Sequence, residues 1–152
     1  MKATFIGHND IIVTDTLVKN IKETIIQLVK KGVKIFLFGS KSRFNDICLD
    51  ITNKLKEIYK DIICINVRAE YPIIDEDYEN YLLQFYNQTY FPKKICGAGK
   101  YAYVKRNYIM IDCSNICVFY YDKNYRKEKS GTKIAYEYAI KRHKTIINLF
   151  KT

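Results

Sequence analysis

Only two prolines, Pro72 and Pro92, interrupt the 152 residues, and no Pro-, Gly- or Ser-rich stretch divides them. Nothing marks a linker or an internal repeat, so the chain reads as one domain, residues 1–152. Long apolar runs are missing too. The longest, such as Ile35–Phe38 and Ile116–Tyr121, are far shorter than the roughly 20 residues that cross a bilayer. The first eight residues, Met1 to His8, lack the apolar stretch of a signal peptide. These absences predict a cytoplasmic protein without membrane contact.

Metal and disulfide chemistry have little to work with. The five cysteines Cys48, Cys64, Cys96, Cys113 and Cys117 include no Cys-x-x-Cys pair, and His8 and His143 are the only histidines. Neither a disulfide framework nor a zinc site is indicated, and buried free thiols are the simplest expectation. No cofactor is required by any motif.

What is present is a core and an uneven charge. Apolar residues make up 48% of the chain, enough for a substantial single core. The net charge of +10 resides wholly in residues 93–152, where fourteen Lys or Arg face only Asp112, Asp122, Glu128 and Glu137; residues 1–92 balance. Such a field attracts phosphates on small nucleotides, nucleic acids or acidic partners. A solvated basic face explains it equally.

Short β-branched or aromatic runs alternate with segments of helical period, the pattern of a parallel sheet covered by helices. Strands are predicted at Ala3–Ile6, Lys34–Phe38, Ile62–Val67, Ile116–Tyr121 and Thr145–Leu149. Leu17, Ile21, Ile25 and Leu28 share one helical face, as do Ile47, Ile51, Leu55 and Ile58. Further helices are expected over Asp75–Tyr86, over Tyr101–Cys113 with Val104, Tyr108 and Ile111 packing, and after Gly131 with Ile134, Ala135, Tyr138 and Ala139 inward. Asn87–Lys100, with Pro92, Gly97 and Gly99, reads as a loop. The fold class is therefore α/β: a Rossmann-like three-layer α/β/α sandwich with a mostly parallel sheet of about five strands.

Three strand-to-helix turns can aim backbone N–H groups at an anion along one sheet edge. The first holds Gly7, where a ligand can approach the backbone, and His8, which either donates to that ligand or caps and packs. The second, Gly39 to Asn45, offers Ser40 and Ser42 hydroxyls and the charges of Lys41 and Arg43. The third, Ser130-Gly131-Thr132, enters the last helix; capping alone explains its hydroxyls, but an anion is expected at the helix N-terminus beginning at Gly131.

The ordered set Phe5-Ile-Gly-His8, Phe36-Leu-Phe-Gly39 with Phe44, Arg106-Asn107 with Met110-Ile-Asp112 and Ser114-Asn115, and Ser130-Gly-Thr132 with Tyr138-Ala139 resembles the SLOG superfamily. That superfamily joins the SMF/DprA and LOG proteins, and the chain is most similar to its small bacterial YspA/YpsA-like branch. The resemblance implies a Rossmann-like domain binding a nucleotide or nucleotide derivative through Gly7, His8, Gly39, Ser40, Lys41, Arg106, Asn107, Ser130, Gly131 and Thr132. The second turn departs from the family's Gly-Gly-Ala-x-Gly-Phe-Asp, carrying side chains in place of two glycines. They either close the pocket or substitute Lys41 and Arg43 for backbone phosphate contacts. Arg106 either reaches the pocket or pairs with Asp112 or a carbonyl.

Three functions follow. The first is a nucleotide-binding sensor or regulatory module, with aromatic residues at 14% offering anchors for a homodimer as well as core packing. The second is an N-glycosidase of LOG type, or an NAD-cleaving enzyme, using Glu137 as the carboxylate beside the ribose. In LOG proteins the glutamate stands two or three residues beyond the Thr, where this chain has Ile134 and Ala135. Glu137 is five beyond Thr132, about 140° round the helix. The third is nucleic-acid binding through Lys123, Arg126, Lys127 and Lys129.

Overall fold

In the computed structural model, which describes residues 1–39, 41–125 and 130–151, six strands form one sheet. They are β1 (Lys2–Gly7), β2 (Ile35–Phe38), β3 (Ile63–Val67), β4 (Gln88–Tyr90), β5 (Ile116–Tyr120) and β6 (Thr145–Asn148), in the order β4-β3-β2-β1-β5-β6. Every pairing is parallel. The helices are α1 (Asp15–Lys30), α2 (Arg43–Leu55), α3 (Glu76–Leu82), α4 (Ala102–Cys113) and α5 (Gly131–Lys141). The fold is the expected Rossmann-like α/β sheet flanked by helices, with six strands rather than about five.

The central strands are rich in apolar residues because both faces are covered, and the buried Thr4 of β1 donates to the Leu37 carbonyl at 3.0 Å. Side chains alternate along each strand. Ala3, Phe5, Phe36, Phe38, Ile116 and Val118 enter one cluster with Leu17, Ile21, Ile25 and Leu28 of α1 and Phe44, Cys48, Ile51 and Leu55 of α2. Ile6, Leu37, Cys117 and Phe119 enter a second with Met110 and Ile111 of α4 and Ala135 and Ala139 of α5. Stacked rings of Phe5 with Phe36 and Phe38, 5.8 and 5.2 Å between centroids, fill the first layer.

Four expectations need correction. The segment predicted as a loop, Asn87–Lys100, contains β4, an edge strand of three residues paired to β3; its exposed Gln88 and Tyr90 leave no apolar alternation to read. Two 3-10 turns, Lys93–Ile95 and Gly99–Tyr101, follow it, with positive φ at Gly97 and Gly99. Ile58 is 70% exposed because α2 ends at Leu55, and the ring of Tyr59 packs on the core there instead. On α4 the buried face is Arg106, Asn107, Met110 and Ile111, while Val104 and Tyr108 are only half-buried. Finally, Cys48, Cys64 and Cys117 are buried free thiols, but Cys96 and Cys113 are exposed. Burial pushes Cys64 up to about 11 and Cys117 to about 12, so these two thiols are unreactive.

Among the described residues no helix is long and apolar enough to cross a membrane, and no group of three or more His, Cys, Asp or Glu is arranged to hold a metal ion.

Candidate ligand-binding cleft at the carboxyl edge of the sheet

Parallel pairing brings the carboxyl ends of all strands, and the turns that follow them, to one edge of the sheet. At the first turn the close approach is internal. A Cβ at Gly7 would fall 2.6 Å from Cγ and 2.8 Å from Cβ of the buried Phe44, so the glycine admits a ring of α2. His8 is also buried. Its Nε2 accepts a 3.0 Å bond from the Asp122 amide, and its ring stacks on Tyr125 at 4.0 Å. Accepting at Nε2 requires the neutral ring, and burial holds the pKa below the usual 6.5. His8 thus ties the end of β1 to the turn after β5.

The N-terminus of α2 is satisfied from within. Asn9 Oδ1 accepts from the Arg43 amide at 3.1 Å, and the Ser42 hydroxyl accepts from the Asn45 amide at 3.1 Å. At the third turn Ser130 Oγ accepts from the Lys133 amide at 3.0 Å, a helix cap. Thr132 is buried and a Cβ at Gly131 would meet nothing within 4 Å. Glu137 lies on the outer side of α5, its side chain 62% exposed and 3.8 Å from Lys133 Nζ.

The second turn is different. From α4, Arg106 crosses the sheet edge and donates from Nη1 to the Gly39 carbonyl at 2.5 Å and to the Val67 carbonyl at 3.4 Å. Its Nε donates to Asn107 Oδ1 at 2.9 Å. Arg106 is 4% exposed and forms no ion pair among the described residues. Burial lowers its pKa to about 10, partly countered by Glu70, so it stays charged at neutral pH. Lys41, which is mostly exposed, takes up Glu70 at 3.1 Å. Ser40 lies outside the described residues, as do Arg126, Lys127 and Lys129 of the basic loop.

Arg106, Gly39 and Lys41 border a cleft of about 530 Å³, within the range of small-molecule sites. Its floor is the end of β3 with Asn66, Val67 and Arg68; one side is α2 and the other α3. Arg68 is fixed by donating from Nη1 to Thr89 Oγ1 at 2.9 Å and from Nε to the Tyr71 carbonyl at 3.3 Å. Tyr71, Tyr78, Tyr81 and Phe85 form a run of rings 6.1, 6.3 and 5.4 Å apart. Tyr86 lies deeper; burial pushes its hydroxyl up to about 12, with the neighbouring Asn66 opposing that rise. A buried cation beside aromatic faces can hold an anionic, planar molecule.

Of the residues singled out in the sequence, Gly39, Lys41 and Arg106 line this cleft, and Asn107 orients Arg106. Gly7, His8, Ser130, Gly131, Thr132 and Glu137 do not line it. The aromatic wall and Arg68 went unread. Their signal was present as Tyr78, Tyr81 and Phe85 at helical spacing, but the same spacing marks any packed face.

No protein-family model matches the chain, and no curated protein sequence matches it. Solved structures do. DNA processing protein A from Helicobacter pylori, described for its single-stranded DNA binding mode, is similar at a TM-score of 0.62 and 16% identity over 96% of this chain. The chain spans 63% of that protein's length. The molybdenum cofactor carrier protein of Chlamydomonas reinhardtii is similar at a TM-score of 0.57 and 14% identity, covering 95% of this chain and 73% of the other. What is shared with both is the Rossmann-like fold, the one that the resemblance to the SMF/DprA side of the SLOG superfamily implies.

Proposed function

We propose that the chain is a ligand-binding domain of SLOG type, nearest the YspA/YpsA-like branch, that holds a nucleotide or nucleotide derivative in the cleft between α2 and α3. One observation carries this reading: the guanidinium of Arg106 is buried and charged at an aromatic cleft and forms no ion pair among the described residues, its hydrogen bonds going to the Gly39 and Val67 carbonyls and to Asn107. Burying a charge costs several kcal/mol; carbonyl oxygens and the more distant Glu70 offset part of that cost, and an incoming phosphate adds direct counter-charge through charge-assisted hydrogen bonds. The base stacks on Tyr78 and Tyr81. The phosphate site is Arg106 rather than the N-terminus of α5, and the output is a change of shape or assembly rather than a reaction. Binding is favoured over N-glycosidic cleavage because Glu137 is solvated and paired with Lys133, away from the cleft lining.

The test is thermal unfolding with mono- and dinucleotides. At a ligand concentration of 100 Kd, mass action adds about 2.7 kcal/mol, a rise in Tm of roughly 5–10 °C for a chain of this length. If no nucleotide moves Tm, the reading fails.

A second reading has its own support. The exposed rings of Tyr71, Tyr81 and Phe85 form a platform on which successive bases of single-stranded DNA can stack, and the similar Helicobacter pylori protein binds single-stranded DNA. Gel shift at two salt concentrations separates the two readings, because multi-phosphate contact weakens steeply with salt.

A further inference from the structure

The two sides of the cleft differ in chemistry. Asp46, Leu49, Asp50 and Asn53 line it from α2 at i, i+3, i+4, i+7, and Tyr78, Tyr81 and Leu82 line it from α3, with Phe85 from the turn that follows. Two of the three polar groups on α2 are engaged. Asn53 Nδ2 donates to the Phe85 carbonyl at 3.1 Å, and Asp50 pairs with Lys54 at 3.1 Å. The carboxylate of Asp46 makes no ion pair or hydrogen bond among the described residues. It is close enough to act electrostatically on the Tyr86 hydroxyl at the cleft floor. Partial desolvation where it meets the cleft raises its own pKa, against the opposing charge of Arg43, although the residue as a whole is exposed.

An ionised carboxylate only accepts hydrogen bonds. Beside aromatic faces, with the buried Arg106 bordering the same cleft, it suits a planar ring that carries N–H donors at one end and a phosphate at the other. Guanine presents N1–H and the 2-amino group side by side, both donors. Adenine sets its 6-amino group beside N1, whose lone pair opposes a carboxylate. We infer that the cleft selects guanine over adenine nucleotides and that Asp46 determines this specificity by accepting from the guanine N1–H and 2-amino groups. The inference rests on the reading that the cleft holds a nucleotide.

Calorimetric titration of the full chain and of Asp46→Asn with GMP, IMP and AMP tests it. The expected result is GMP binding at least about tenfold tighter than AMP, with IMP, which lacks the 2-amino group, between them. Asp46→Asn should bring GMP and AMP within about threefold of each other while AMP binding is kept. Asp46 is exposed, so the variant's own Tm verifies its fold. If all three nucleotides bind alike, or Asp46→Asn keeps the preference, the specificity assignment is overturned and the nucleotide reading stands. If none binds, the reading of the cleft fails first and the assignment with it.

Discussion

Arg106 lies directly over Gly39: a Cβ added to that glycine would sit 2.7 Å from Arg106 Cδ and 2.8 Å from the Val67 carbonyl oxygen. The turn after β2 is therefore glycine because an arginine from α4 passes across it, and the same crossing brings the guanidinium to the cleft. Gly39→Ala should destabilise the fold by about 1–3 kcal/mol, the usual cost of overpacking, and should displace Arg106 enough to weaken ligand binding. Urea unfolding measures the first and titration the second. A loss below about 0.5 kcal/mol would mean that the crossing is not tight.

Tyr81→Ala separates stacking from folding. The ring is 54% exposed, so little core packing is lost, whereas a base stacked on it is worth about 1–3 kcal/mol. Nucleotide affinity should fall at least about fivefold while Tm without ligand stays nearly constant. Unchanged affinity would remove α3 from the site.

Glu137→Gln should leave nucleotide-induced stabilisation unchanged and alter stability by no more than roughly 0.5 kcal/mol, the scale of an exposed i, i+4 pair. The check is thermal unfolding with and without ligand, together with chromatography for released base. Release of free base from a nucleotide by the wild type, lost in this variant, would restore the hydrolase reading.

His8 gives a pH dependence with a definite sign. Its folded pKa is lowered from 6.5, first by burial. Above pH 6.5 the ring is neutral in both folded and unfolded chains. As pH falls through 6.5 the unfolded chain takes the proton first, so stability declines, and the decline ends once pH drops below the folded value. Wild type should lose Tm from pH 7.5 to 5, and His8→Asn should lose less. Parallel pH curves for the two proteins would show that the Nε2 bond to Asp122 carries no linkage.

The inner strands were legible because strands of a parallel sheet buried on both faces, such as Phe5-Ile6 and Ile116–Phe119, read as continuous apolar runs, and the edge strand β6 was legible from its β-branched Thr145-Ile-Ile147. The short edge strand β4 carries no such pattern, since Gln88 and Tyr90 face water. The inner face of α4 was misread for a related reason. Arg106 and Asn107 are polar residues on a helix face that the apolar period does not mark; the carbonyls of Gly39, in the turn after β2, and Val67, at the end of β3, make the burial of Arg106 tolerable, which is the carbonyl-bonded alternative among those open for it. The helix predicted over Asp75–Tyr86 covers Tyr78, Tyr81 and Phe85, but it ends at Leu82, and nothing in their spacing shows that these rings border a cleft rather than the core. Conversely, Gly7 and Ser130 carried the right signals for anion turns, but Phe44 and the helix cap account for them.

The central claim is that a phosphate is received by Arg106, and a crystal structure of the chain with GMP bound tests it most directly. A phosphate oxygen within about 3.2 Å of an Arg106 guanidinium nitrogen, with the base against Tyr78 or Tyr81, is the predicted result. A phosphate seated instead on the Gly131 and Thr132 amides at the start of α5, with the cleft between α2 and α3 empty, would contradict it.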